Sequence, residues 1–270
     1  MYKLKNVHAL LLLLVVVVYS FACKKSSDGA APAKQVKLTR DSITQNGYTL
    51  IFINKDTTYQ IKGDSSRKAL EKIFFIVYPK ITAYWNPDAP KRVTMTIDPA
   101  YDGVAYTINN AVTISSVWML QNQKDVNVVT HEVTHVAQQY NSAGYTPSWL
   151  VEGIADYSRN KFGIDNAAVG WYIPDYTQDE KYTDGYTTVA RFLLWAEAKY
   201  KPGIALAFDK QLRAGTYSDD TSWEEQTGSS FSQLWSTYVE NPYYEWHPDI
   251  QSQLSYNQRI KHLISLIKNL

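Results

Sequence analysis

Positions 131–135 read His-Glu-Val-Thr-His, two histidines four residues apart with a glutamate directly after the first. On a helix, residues four apart share a face, so His131 and His135 can aim their imidazoles at one ion. Glu132 is rotated by one residue step and reaches the ion's edge, not its inner shell. That arrangement suits two zinc ligands plus a general base acting on a metal-activated water. The chain has only five histidines, so chance makes little claim on such a pair inside an apolar run.

A catalytic zinc takes three protein ligands and keeps an open position. The extended pattern H-E-x-x-H-x-x-G-x-x-H would place a glycine and a histidine where this chain has Gln138 and Asn141, which excludes that subclass. His8, His247 and His262 are far away in sequence. Glu152 lies 17 residues after His135 on a separate predicted helix, and Asp156 is one turn further on the same face. Glu152 is expected as third ligand and Asp156 as acceptor for the distal N–H of His131. The alternative puts Asp156 on the ion itself. The first arrangement resembles that of the Glu-zincins, in which an E-x-x-x-D helix follows H-E-x-x-H.

The elements that must position these residues follow from periodicity. Asp125 is a plausible N-cap for a helix over 126–140, with Val126, Val129, Val133, Val136 and Tyr140 as its buried stripe and Gln138 on the histidine side. Thr146 and Pro147 suit the start of a second helix over 148–160. Upstream, 36–38 and 48–53 read as strands about the turn Gln45-Asn46-Gly47, and a helix spans 65–84, which Pro79 should end or kink. Strands at 93–97, 104–108 and 112–115 suggest a β-meander with an edge for an extended substrate. Downstream, 161–184 reads as a long loop, uncommon unless functional. Helices follow at 185–200, 203–214, 222–227 and 230–240. The expected class is α+β and zincin-like: a mixed N-terminal sheet with helices, the motif helix at a cleft, and a helical C-terminal half.

Several further runs carry a family resemblance. They are Asp102 to Thr107 (Asp-Gly-Val-Ala-Tyr-Thr), Glu152 to Tyr157 (Glu-Gly-Ile-Ala-Asp-Tyr), Gly185 to Leu193 as G-Y-x-x-x-A-R-F-L, and Phe231 to Tyr238. In this order they resemble the basic secretory protein family of peptidases, over roughly residues 65–240. The resemblance implies a zinc metallopeptidase and leaves the substrate open. This chain is near neutral where the family's plant members are basic.

A peptidase of this kind needs a donor for the developing oxyanion. Tyr186, at a helix start after the long loop, is the candidate, set against a purely packed aromatic among 21 tyrosines. Arg191 is expected to pair with a structural acid in preference to a substrate carboxylate.

Composition narrows the remaining classes. The chain has 27 basic and 26 acidic residues, and loss of Lys3 and Lys5 with a leader leaves a net charge near −1. No basic stripe points to nucleic acid. Residues 1–22 read as a bacterial lipoprotein signal: Lys3 and Lys5, the apolar run 9–18, then Ala22 before Cys23. Cys23, the only cysteine, is the expected lipidation site, so no internal disulfide and no cysteine ligand are expected. Residues 23–35 form the expected tether, 36–242 the metallopeptidase domain and 243–270 a helical extension. The expected partners are a zinc ion, a peptide or protein substrate, and a membrane through the lipid alone. The expected setting is a monomer on the periplasmic or cell-surface face, with an endopeptidase slightly favoured over an aminopeptidase. The alternative is a non-catalytic, zinc-containing surface protein that binds extracellular protein or glycan.

Overall fold

The computed structural model describes residues 38–243. Cys23, the leader, the tether and nearly all of the C-terminal extension lie outside the described residues. Among the described residues, five strands and nine α-helices follow in an α+β order, with the sheet in the N-terminal half and helices alone after it.

Strands β1 (Arg40–Gln45) and β2 (Tyr48–Asn54) form an antiparallel hairpin. Asn46 and Gly47 both have positive φ, as a two-residue turn of the mirror-image type requires. Of the expected first strand, 36–37 lie outside the described residues, and Leu38 precedes a strand that starts at Arg40. Helices α1 (Thr57–Lys62), missed in the sequence, and α2 (Asp64–Trp85) carry the chain over to β3 (Arg92–Asp98), parallel to β2. Pro79 does not end α2. The face formed by Leu70, Phe74, Val77, Ile81 and Trp85 is buried on both sides of the proline, and that packing outweighs a cost of about 3 kcal/mol.

The expected meander is also corrected. The sheet order is β1-β2-β3-β5-β4, with β4 (Ala105–Ile108) at the edge and β5 (Ala111–Ser115) parallel to β3. Val112 and Ile114 of β5 are fully buried, whereas Tyr106 and Ile108 of β4 face outward. The more apolar strand takes the interior place and the alternating one takes the edge. Asn109 and Asn110, both at positive φ, close this second hairpin.

A short helix α3 (Ser116–Gln121) leads to α4 (Val128–Gln138), the motif helix. It starts after Asn127, not Asp125. Asp125 is drawn away by the Trp118 indole N–H at 3.1 Å and the Arg159 guanidinium at 2.5 Å. Asn127 instead ties the helix start to the Ile164 backbone. Helix α4 ends at Gln139, whose φ is 44°.

Helix α5 (Ser148–Phe162) has Pro147 at its N-cap. The Thr146 hydroxyl does not cap it and donates to the carbonyls of Asn141 and Gly144. Helix α6 (Tyr186–Lys199) packs on α5 at Gly153, where an added Cβ would sit 2.2 Å from Val189 Cγ1. Helices α7 (Ile204–Ala214), α8 (Ser222–Thr227) and α9 (Phe231–Glu240) complete the described chain. The expected long loop holds only two short 3₁₀ turns, Asn166–Val169 and Tyr182–Asp184. Arg191 pins it as expected of a structural arginine: it is 2% exposed and donates to Glu180, to the Pro174 carbonyl and to the Tyr238 hydroxyl. Among the described residues, no helix is long and apolar enough to cross a membrane.

Candidate metal centre

Three helices bring the site together. Helix α4 is buried along nearly its whole length, so His131 and Glu132 are 8% and 4% exposed. Trp85 of α2 donates to Ser158 of α5 at 3.1 Å, and Thr134 of α4 reaches the same hydroxyl at 2.8 Å. Asn86 donates to the Ala137 carbonyl at 2.9 Å. These bonds lock the register of α4 against α5, which in turn places Glu152 opposite the two histidines.

His131 Nε2 lies 3.1 Å from His135 Nε2 and 3.1 Å from Glu152 Oε2, and His135 Nε2 lies 3.4 Å from the same oxygen. Zinc bonds of about 2.0–2.1 Å in tetrahedral directions put ligand atoms about 3.3–3.4 Å apart, so this triangle has the size of one face of a zinc site. The hydrogen bonds behind the rings settle what faces inward. His131 Nδ1 donates to Asp156 Oδ1 at 2.7 Å. His135 Nδ1 donates to Gln138 Oε1 at 2.7 Å, and the Gln138 amide is turned that way because its Nε2 donates to the Val151 carbonyl at 2.9 Å. With both Nδ1 protons spoken for, the two Nε2 atoms and the Glu152 oxygen converge on one point, where a single cation would satisfy all three.

The electrostatics agree. Burial opposes a charge on His131, yet hydrogen bonds to the Asp156 and Glu152 carboxylates outweigh it and push the imidazole up to about 10. Burial likewise opposes a charged Glu152, and both histidines nevertheless hold its carboxyl down to about 2. The raised imidazole marks a pocket that calls for positive charge, and the lowered carboxyl shows Glu152 ionised beside the two histidines. A metal supplies that charge while leaving the imidazoles neutral. The group His131, His135 and Glu152 is thus able to bind a metal ion. Asp156 sits behind His131 and not among the converging atoms.

Glu132 is held apart from this triangle. Its Oε2 accepts a 2.7 Å hydrogen bond from the Thr107 hydroxyl, which also lies 3.1 Å from the Glu132 carbonyl. Tyr186 stacks over His131, with ring centroids 6.0 Å apart and planes 14° from parallel, and is half exposed. Its φ is 43°, rare for an aromatic, and it follows Gly185 at φ 68° and ψ −148°, a region open in practice only to glycine. Burial and the Glu152 charge raise its hydroxyl pKa. All these groups line one cleft of about 1040 Å³, whose far wall is the end of the sheet from Val104 to Asn110.

Gln138 lies on the histidine face, as the sequence placed it, and its bond to His135 follows from the three-residue spacing. Thr107 escapes a reading of the sequence: no periodicity links a strand residue to a helix 25 positions later.

No curated protein matches the sequence. Among solved structures, a two-domain M1 zinc metallopeptidase mutant bound to L-tryptophan aligns at 15% identity with a TM-score of 0.45. That match covers 78% of this chain and 53% of the other. The M1 zinc metallopeptidase from Deinococcus radiodurans aligns at 14% identity with a TM-score of 0.40 and the same coverage. Aminopeptidase A of Legionella pneumophila, in complex with aspartic acid, aligns at 11% identity with a TM-score of 0.49, covering 75% of this chain and 28% of that one. The chain thus spans about half the length of the M1 enzymes it matches, or less. The family model described as a peptidase of plants and bacteria matches residues 41–238, most of the sequence, and the chain belongs to that family, the basic secretory proteins.

Proposed function

We propose that the protein is a zinc-dependent peptidase in which Glu132 is the general base. The observation that carries this reading is the convergence of three ligand atoms, from His131, His135 and Glu152, beside a carboxylate kept out of the triangle. Zinc held by His131, His135 and Glu152 would supply a Lewis acid that activates water and polarises the scissile carbonyl. Glu132 takes the water's proton and hands it to the leaving amine. Asp156 and Gln138 keep each imidazole in the tautomer that presents Nε2. Tyr186 donates towards the developing oxyanion. The free edge of β4 offers backbone groups to an extended peptide by strand addition.

The acids lining the cleft are Glu132, Glu152 and Asp156. Each has a partner at the centre, which leaves no spare carboxylate among the lining residues to anchor a free amine. That favours an endopeptidase over an aminopeptidase. A non-catalytic zinc protein would close its site with a fourth protein ligand, and the metal-binding group found among the described residues has three. The glycan-binding alternative loses support because Trp195, Trp223 and Tyr238 are packed in the core.

The test is a peptide-library digest with and without chelator, read by mass spectrometry. Chelator-sensitive cleavage is expected, and its absence would overturn the reading. Glu132→Gln should keep its zinc and lose about 10²–10⁴-fold in kcat/KM. Full activity in that variant would remove Glu132 from the base role.

The sequence pattern around Cys23 supports an exported, lipid-anchored protein. Cells fed a clickable palmitate should label the wild type and not Cys23→Ser. An unlabelled wild type would end that proposal.

A further inference from the structure

Arg159 is a buried cation with more donors than partners. It is 7% exposed and lines the cleft, one turn beyond Asp156 on the face of α5 that carries Glu152. A guanidinium has five N–H donors. Among the described residues, its hydrogen bond is from Nη2 to Asp125 Oδ1 at 2.5 Å, and the buried Nε has no partner. Asp125 does not line the cleft and also accepts from the Trp118 indole, so it holds the arginine from behind. Trp171, another cleft residue, covers the guanidinium, with Cζ 4.6 Å from the ring centroid. The Nε is shut off from the cleft, so an incoming acceptor is met by the Nη protons that the bond to Asp125 leaves over.

We infer that Arg159, shelved on Trp171 and braced by Asp125, forms a subsite for a carboxylate of the substrate. The inference rests on the peptidase reading for what the substrate is. A planar guanidinium held by stacking is preorganised for a carboxylate. Arg159 stands seven residues along the helix from Glu152, which is roughly 10 Å of rise. An extended peptide covers about 3.3 Å per residue, so the carboxylate lies about three residues from the scissile bond. It comes from an aspartate or glutamate side chain or from the peptide's own C-terminus.

Matched peptides distinguish these sources. One pair differs by Glu against Gln near the cut, and a second by a free C-terminal acid against its amide. In wild type, one of the two changes should lower kcat/KM by about tenfold or more. The pair that responds names the source. In Arg159→Met the acid-to-amide ratio should fall to about one, with Arg159→Lys in between, as expected for loss of a planar fork. Circular dichroism checks that the variants fold, and the wild-type comparison stands without them. Equal cleavage of acid and amide peptides by wild type overturns the subsite. If wild type cleaves no peptide, the peptidase reading fails separately. Calorimetric binding of the same pairs to the zinc-loaded protein then decides the subsite: tighter binding of the acid supports it, and equal or no binding refutes it.

Discussion

Thr107 shows how a single hydroxyl can govern the chemistry of a carboxylate. By touching both the side chain and the backbone of Glu132, it fixes the rotamer of the proposed base. A hydrogen bond to a charged group is worth about 1.5–3 kcal/mol. Thr107→Val keeps the shape and removes the donor, so kcat should fall about tenfold to a hundredfold. Because Thr107 works through the base and not through the substrate, KM should stay within about twofold, and Thr107→Ser should restore most of the loss. A rise in KM with kcat intact would instead make Thr107 a substrate contact. At this scale His131, His135, Glu152 and Asp156 were legible in the sequence because each pair is one helical turn apart. Thr107 was not, because its partner is reached only through the sheet edge.

Between elements, the junction of α5 and α6 decides where Glu152 and Tyr186 stand. Gly153 follows Glu152 and gives α6 its close approach through Val189. Gly185 lets the chain turn abruptly into α6. Gly153→Ala pushes the helices apart and should cost about 1–3 kcal/mol in urea unfolding. Zinc affinity should fall with it, since Glu152 shifts with α5. Val189→Ala removes the obstructing methyl groups, so the double variant should recover part of both losses. A Gly153→Ala protein as stable as wild type would contradict this packing. Pro79 and Asp125 carry the same lesson: local preference said helix end and helix cap, and packing or a stronger ion pair overrode both.

The whole molecule is tied together behind the site by Arg213 of α7. It donates to the Gln138 carbonyl at 2.9 Å and the Trp85 carbonyl at 2.8 Å, and pairs with fully buried Asp209. Tyr140 donates to Asp209 at 3.1 Å. Burial raises the Asp209 pKa to about 6, against the opposing pull of Arg213. A carboxyl whose folded pKa is raised contributes stability that is fully present below its unfolded value near 4 and is lost as pH rises through about 6. Relative to Asp209→Asn, wild type should therefore gain about 2 kcal/mol on going from pH 7 to pH 4, read by urea unfolding. A difference between the two proteins that does not change with pH would show that Arg213 fully compensates the burial.

The sequence by itself pointed to the donor set, four of the five strands, most of the helices, and the family likeness. Those features depend on residues one turn or one strand apart, where the 3.6 and 2.0 periods leave a visible trace. Tertiary structure alone decided that β5 lies inside and β4 at the edge, that Asp125 serves Arg159 and not the helix end, and that Thr107 holds Glu132. Each of those outcomes is a competition among distant partners for one buried position. Its winner is set by packing and by the cost of unpaired polar groups, neither of which is written at any fixed spacing along the chain.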